Sequence, residues 1–475
     1  MIRATSPSRM VRATGFGMTE GGDVYLYRPT NVQEVKDILQ MARETGRQVV
    51  LRGSGRSYGD ANIARECLML DISRMNQIYS INKQSAEVDC QAGVTIEQLW
   101  RSTLEDGFWP PIVSGTMAPT LAGALGMNIH GKNAYVAGPI GEHVTELDVV
   151  LPNGDVRTLK PENPLFHAVI SSAGLLGVIT RVRLKMKRIK SGDLRVLPLS
   201  VPDWAGQFKI FEDLEHDADY MVTWIDCFGR GKHAGRGVFH AAWYTQENEE
   251  FPSTLRPENQ DLPDTILGFF PKSVVWRFLK PLNNRFGMRA LNAAKHHASR
   301  LLGNGKQHPQ GLVGFSFLLD YVPNWRNAYL PGGFIQYQSF VPKEHAPRVF
   351  AEQVRLQQEA KLESFLGVMK RHKPDPFLFS HGVDGYSLAL DFKVTRKNRE
   401  KLWQLAHAMN DLVVAAGGKF YLAKDSTLRP ADFQATIGSE NLARYFDLKA
   451  ELDPESILTS SLAKRLGLDP REFSK

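Results

Sequence analysis

Cysteine is scarce: the 475 residues hold three, Cys67, Cys90 and Cys227, far apart and without a C-x-x-C pair. Three thiols cannot all pair with one another, which excludes a disulfide framework and points to reduced thiols packed as small hydrophobes in a reducing compartment. No uninterrupted apolar run approaches the ~18 residues of a spanning helix. The opening MIRATSPSRMVRATGF carries positive charge with no apolar stretch behind it, so it does not read as a secretory signal, and the expected location is cytoplasmic. Metal-ligand spacing is also missing, since His296 and His297 are adjacent and cannot present the pair that H-x-x-x-H does. No catalytic metal is expected. The net charge is +7, but no helix-turn-helix or zinc-finger pattern accompanies it, which favours anionic ligands or an anionic membrane over nucleic acid. Asp and Glu are absent from Ile266 to Leu319, while Lys and Arg recur there.

What is present describes a globular chain of more than one domain, 43% hydrophobic and 23% charged. Thr30 and Asn31 precede Val32, Val35, Ile38, Leu39 and Ala42, which repeat on one helical face up to Gly46. Residues 48–51, 68–72 and 86–90 read as short strands, and Thr95 caps a further helix. A small-residue helix runs from Pro119 to Asn128. Strands follow at 144–151 and 177–186, the second with the alternation Val178-Ile179-Thr180-Arg181-Val182-Arg183-Leu184. Beyond residue 195 the strands at 219–245 and 312–342 are rich in aromatics. A helix with Pro347 in its first turn, a strand over 386–392, a helix over 397–416 and a last strand, Lys419 to Lys424, complete the chain. No internal repeat or low-complexity linker interrupts it.

Three chemistries compete for RGSGRSYGD at 52–60. It contains the G-x-S-x-G of a hydrolase elbow, but Ser57 leads into turn formers, whereas that elbow needs a helix at once. It nearly makes the G-x-G-x-x-G of a nicotinamide site, yet position 58 is tyrosine and no helix opens there. A glycine loop whose N–H groups cradle a phosphate remains, with Arg52 and Arg56 as charge partners and a plain structural turn as the alternative. A second glycine-rich element at 113–131 strengthens the phosphate reading, because Gly123, Ala124 and Gly126 present almost no side chain. Either a ligand or tight helix packing satisfies that face.

The ordered series RGSGRSYGD, SGT at 114–116, NIHGKN at 128–133 and SSAGLLGVITRV at 171–182 resembles the FAD-binding half of the vanillyl-alcohol-oxidase flavoproteins. Adding GGFIQYQ at 332–338, LDF at 390–392 and YLAKDS at 421–426, the chain is similar, over nearly its whole length, to the flavin oxidase subunits of decaprenylphosphoryl-β-D-ribose 2′-epimerases. The resemblance implies an α+β architecture: a two-subdomain FAD-binding fold of the PCMH type plus a substrate domain built on an antiparallel sheet. Its expected division is 1–195 for FAD, 196–416 for substrate, and 417–475 returning to the FAD domain. It further implies FAD held non-covalently by Arg52, Gly53, Ser54, Gly55, Arg56, Ser57, Tyr58, Gly115, Thr116, Gly123, Asn128, His130 and Ile179.

Lys424, with Tyr421 beside it, matches the family's active-site lysine. An ammonium there stabilises the negative charge that hydride transfer puts on the cofactor, and it can hold the substrate hydroxyl. Tyr58, His130, Lys132, Gln336, Gln338 and Ala389 join it as implied substrate-pocket residues, although inter-strand hydrogen bonding is the alternative for the glutamines. Ala389 stands where relatives of the mycobacterial type carry cysteine, so capture of ligands by a thiol is not expected at that place. The implied reaction is FAD-dependent oxidation of the C2 hydroxyl of a polyprenylphosphoryl-β-D-ribose, completed by an NAD(P)H-dependent short-chain reductase on the way to envelope arabinose. The alternative is an aldonolactone or sugar-alcohol oxidase that uses oxygen. The stretch 266–306 mixes Phe, Trp and Val with Lys and Arg as interfacial segments do, which adds peripheral contact at the inner membrane face; a mobile lid or a domain face is the alternative.

Overall fold

The computed structural model describes residues 6–245, 252–266 and 268–473. Residues 1–5 of the expected signal-free opening, Leu267 within the basic stretch, and the last two residues of the expected 417–475 return lie outside the described residues.

The N-terminal part is mixed α and β. Asn31 caps the helix Val32–Glu44 by accepting from the Glu34 amide at 3.0 Å, and Glu34 in turn accepts from the Thr30 amide at 2.7 Å. The helix buries Val35, Ile38, Leu39 and Ala42 in a core shared with Val49, Leu68 and Leu70. Those residues belong to a four-stranded sheet in the order Met10–Thr14, Gly21–Tyr27, Leu68–Asp71, Val49–Arg52, whose last three strands are parallel. A second, antiparallel sheet runs Ile78–Asn82, Glu87–Gln91, Val178–Lys185, Val144–Val150, Val156–Leu159. Chain from near the C-terminus joins the first sheet. The Val49 amide donates to Ile457 O at 2.7 Å, and the Thr459 amide donates to Val49 O at 3.0 Å.

The third sheet has eight antiparallel strands in the order His308–Gly311, Asp193–Val201, Gly237–Tyr244, Tyr220–Ile225, Gly367–His372, Gly385–Lys393, Phe334–Pro342, Lys419–Phe420. Asp193–Val201 thus crosses the boundary expected at 195, and Lys419–Phe420 pairs with the sheet beyond 416. The helices Ala346–Ala360 and Arg399–Ala415 pack against it. Gly385–Lys393 and Phe334–Pro342 are buried on both faces, except at their last residues.

Two local expectations need correction. The aromatic stretch from 312 is strand only over Phe334–Pro342, and it begins as a short helix, Leu312–Ser316. The last strand stops at Phe420; Lys424 lies in a turn, its amide bonded to Tyr421 O at 2.9 Å.

Candidate active site

Residues of all three large sheets line one cavity of about 860 Å³, near the upper end for small-ligand sites. The Arg52–Tyr58 loop forms part of its wall. At Gly53 a Cβ would fall 2.2 Å from Thr120 Oγ1, so only glycine lets this loop press against the cap of the helix Leu121–Gly126. Gly59 serves the other side: its Cβ would sit 2.0 Å from Asp425 O, in the AKDS turn. Next to it the Tyr58 amide donates to Ala423 O at 2.8 Å. The YGD and AKDS motifs are therefore one structure, and their contact brings Lys424 Nζ to 3.6 Å from the centre of the Tyr58 ring.

The glycine-bearing helix leaves room beside Gly126, and at Gly123 its nearest neighbour is its own capping residue, Thr120. Beside Gly123 and Gly126 a Cβ would meet nothing closer than 3.3 and 3.7 Å, and both glycines border the cavity. Of the two readings of that face, a space left for a ligand is the one the geometry matches. Gly115, Thr116, His130 and Ile179 border the same space. Thr116 is fixed through its hydroxyl, which donates to Asp320 Oδ1 at 2.8 Å. Arg52 reaches the cavity but turns its guanidinium to Asn62 Oδ1 at 3.0 Å, while Arg56 lies over Phe16 at 5.2 Å. Asn128 is not part of the lining; it is fully buried and accepts from the Gly141 amide at 3.0 Å. Its Nδ2 and the Nδ1 of His130 are buried without a hydrogen-bond partner.

One face of the eight-stranded sheet forms the opposite wall. Directly opposed residues on antiparallel strands share a face, and here the pairs are Gln336 with Asp391, Gln338 with Ala389, Ala389 with Val368, Val368 with Trp224, and His240 with Val222. Lys370 lies on the same face, opposite Ser387. Gln336 donates to Asp391, and Gln338 Nε2 lies 3.2 Å from His130 Nε2. Behind them His130, His372, His381, Phe340 and Tyr421 pack ring against ring, with His381 and Tyr421 centred 4.4 Å apart. Burial keeps all three histidines neutral, His381 down at about 3.

Cations dominate this wall. Burial lowers Lys132 to about 7, helped by Lys370, and lowers Lys370 itself to about 8. Lys424 is lowered by burial and supported by Asp391, whose carboxyl burial raises and Lys424 pulls back. So many buried lysines around one carboxylate suit an anionic guest, whose charge would favour their protonated form.

Sequence reasoning passed over Asp391, Lys370, His372, His381 and Asp320. Asp391 stood inside the quoted LDF, but a carboxylate in a strand of otherwise buried character carries no local mark of function. Among the described residues no group of side chains has metal-site geometry.

The lining suits FAD: a close-approach glycine loop, a bare helix face and the unpartnered buried Nδ1 of His130. Comparison with known proteins agrees. A family model described as an FAD binding domain matches residues 24–160. The chain is 30% identical to the decaprenylphosphoryl-β-D-ribose oxidase of Mycolicibacterium smegmatis, over 91% of this chain and 92% of that protein. An uncharacterised Streptomyces coelicolor protein is 26% identical over 79% of the chain and 100% of its own length. The D-arabinono-1,4-lactone oxidase of Yarrowia lipolytica is 26% identical, over only 34% of the chain and 31% of that protein. A glycine cradle and a lysine-lined sheet face in one cavity, on a chain similar end to end to such an oxidase, lead to one conclusion: the protein is an FAD-dependent oxidoreductase and belongs to the decaprenylphosphoryl-β-D-ribose oxidase family.

Proposed function

We propose that the protein oxidises the C2 hydroxyl of a polyprenylphosphoryl-β-D-ribose to the 2-keto sugar, and that an NAD(P)H-dependent short-chain reductase then completes the epimerisation. The observation that carries this is the second set of cations. Arg52 and Arg56 stand at the glycine loop, but Lys370 lies on the sheet wall and Lys132, from the turn before the helix Ala134–Ala137 and donating to Phe315 O, borders the same cavity beside it, where a substrate phosphate is a natural partner for both. An aldonolactone has no charge to offer them. The lactone reading draws on relatives that match a third of the chain, whereas the ribose reading draws on one that spans nearly all of it.

Bound FAD supplies the hydride acceptor. Gly53 to Tyr58, Gly115, Thr116, Gly123 and Ile179 hold it, with Asn128 supporting from behind and no covalent bond to His130. Lys424 fixes the sugar hydroxyl and sets a positive charge beside the developing negative one. Asp391, through Gln336, keeps that end of the pocket oriented, and Tyr421 holds His130 and His381 in place. Gln338 sets the His130 ring by its contact at Nε2, and Ala389 leaves room where a larger side chain would stand. With a lipid-linked substrate the protein would work at a membrane surface, which we place at the inner face.

The test is anaerobic. Polyprenylphosphoryl ribose should bleach the flavin absorbance near ~450 nm, while soluble aldonolactones should not. Bleaching by lactone alone would replace this reading with the lactone oxidase. Acid precipitation should leave the yellow colour in the supernatant; colour retained in the pellet would mean a covalent link.

A further inference from the structure

One surface of the protein lies outside the cavity chemistry. The turn at 268–270 and the helices Lys272–Leu282 and Arg285–Leu302 form a helical hairpin on which Phe269, Phe278 and Phe286 are 75, 60 and 80% exposed. Leu282, one helical turn beyond Phe278, is 42% exposed. Three phenylalanines left open within one stretch of chain, 269–286, are unusual on a folded protein. The hairpin is nonetheless firmly placed. Arg285 makes a bidentate pair with Glu363 at 2.7 and 2.6 Å, Asn283 Nδ2 donates to Ala328 O at 3.0 Å, and the Phe270 and Phe278 rings meet edge to face at 5.2 Å.

Charge identifies the partner. Arg277, Lys280, Arg289 and Arg300 on these helices are exposed, with no ion pair among the described residues, and no acid occurs from Ile266 to Leu319. Exposed rings interleaved with unpaired cations match an anionic lipid surface, where the rings enter the acyl boundary and the cations meet headgroup phosphates. The surface also connects to the cavity. Lys295, nine residues beyond Phe286 and so on the other side of the same helix, lines the cavity and lies over Trp224 at 4.5 Å. A bilayer against Phe286 would therefore lie across the same helix from Lys295, about one helix diameter away laterally and ~13 Å along the axis.

We propose that this hairpin docks the enzyme on an anionic leaflet, so that a lipid-linked substrate presents its sugar to the cavity without leaving the membrane. This rests on the lipid-linked reading of the substrate, but it can be tested apart from turnover. The holoenzyme is pelleted with vesicles of phosphatidylcholine containing about one-third phosphatidylglycerol, and with phosphatidylcholine alone. Binding should need the anionic lipid and fall with salt. Arg277→Gln with Lys280→Gln should weaken it about tenfold or more, and Phe269→Ser with Phe278→Ser and Phe286→Ser should abolish it, with flavin absorbance unchanged in both.

Failure of the wild-type holoenzyme to pellet, or unchanged pelleting of the phenylalanine variant, overturns the proposal. So would a stable dimer in sedimentation that the phenylalanine substitutions dissociate, because the face would then be covered by a second copy. Vesicle binding without oxidation of lipid-linked ribose would leave the docking face standing and remove the substrate reading. Oxidation in detergent without vesicle binding would do the reverse.

Discussion

Replacing Lys424 with alanine removes the cation held over Tyr58, at 3.6 Å from the ring centre. Flavin should still bind, because the glycine loop is untouched, but its reduction by substrate should slow by about 10²-fold or more. Stopped-flow absorbance reads this directly; an unchanged rate takes Lys424 out of the mechanism. Burial depresses this lysine below the ordinary ~10.4, so its ammonium is present at low pH and lost as pH rises. The rate should therefore fall on an alkaline limb well below the usual lysine range. Asp391 supports the charged form, so Asp391→Asn should move the limb to still lower pH. Lys132 and Lys370 act on binding instead. Lys132→Gln should raise KM about tenfold or more with little change in kcat, the loss expected for a charged hydrogen bond. Their values near 7 and 8 mean that wild-type KM itself should climb as pH passes through that interval and the two cations are lost.

Elements with one buried face were legible in the sequence, because burial leaves a period. Val32–Glu44 and Ile96–Thr103 begin at the capping residues that the sequence offers, Asn31 and Thr95, and Val178–Lys185 keeps its alternation. Strands buried on both faces lose that signal. Phe334–Pro342 packs helices on one side and lines the cavity on the other, so nothing local marks Gln336 and Gln338 as facing a ligand. The Lys424 turn was misread as strand because Phe420 to Ala423 are apolar and buried, as a strand would be, while the close approach to Gly59 that bends the chain is 365 positions away in sequence (Lys424 minus Gly59). The glycine loop at 52–58 gives a test at this scale. Gly53→Ala places a methyl group against Thr120 Oγ1 and should cost most of the FAD affinity. Thr120→Ala alone should cost about 1 kcal/mol through the lost cap, yet combined with Gly53→Ala it should restore part of the binding. Flavin titration of the three variants checks this, and a double variant no better than Gly53→Ala would mean that the contact is not the cause.

At the scale of the molecule, distant segments of chain are held together at a few charged points. Arg465 donates to both oxygens of Asp60, at 2.9 and 2.8 Å, and to Asp425 at 2.7 Å, so one side chain joins the end of the glycine loop, the Lys424 turn and the helix Ser461–Arg465. Removing it strands two nearly buried carboxylates, and Arg465→Ala should destabilise the protein by about 3 kcal/mol or more. Calorimetry with FAD in excess should show a clear fall in Tm; an unchanged Tm would reduce the cluster to a surface contact. None of this was legible in advance, because a motif records what lies beside a residue in sequence and Arg465 acts across 405 positions. The parallel seam between Val49 and residues 457–459 has a consequence for biosynthesis. The nascent chain exposes its glycine loop early, but the segment that bridges to the sheet beneath it leaves the ribosome only after every residue that lines the cavity. Prematurely terminated products would therefore keep an open sheet edge and a poor flavin site, and cellular quality control could recognise them by that edge.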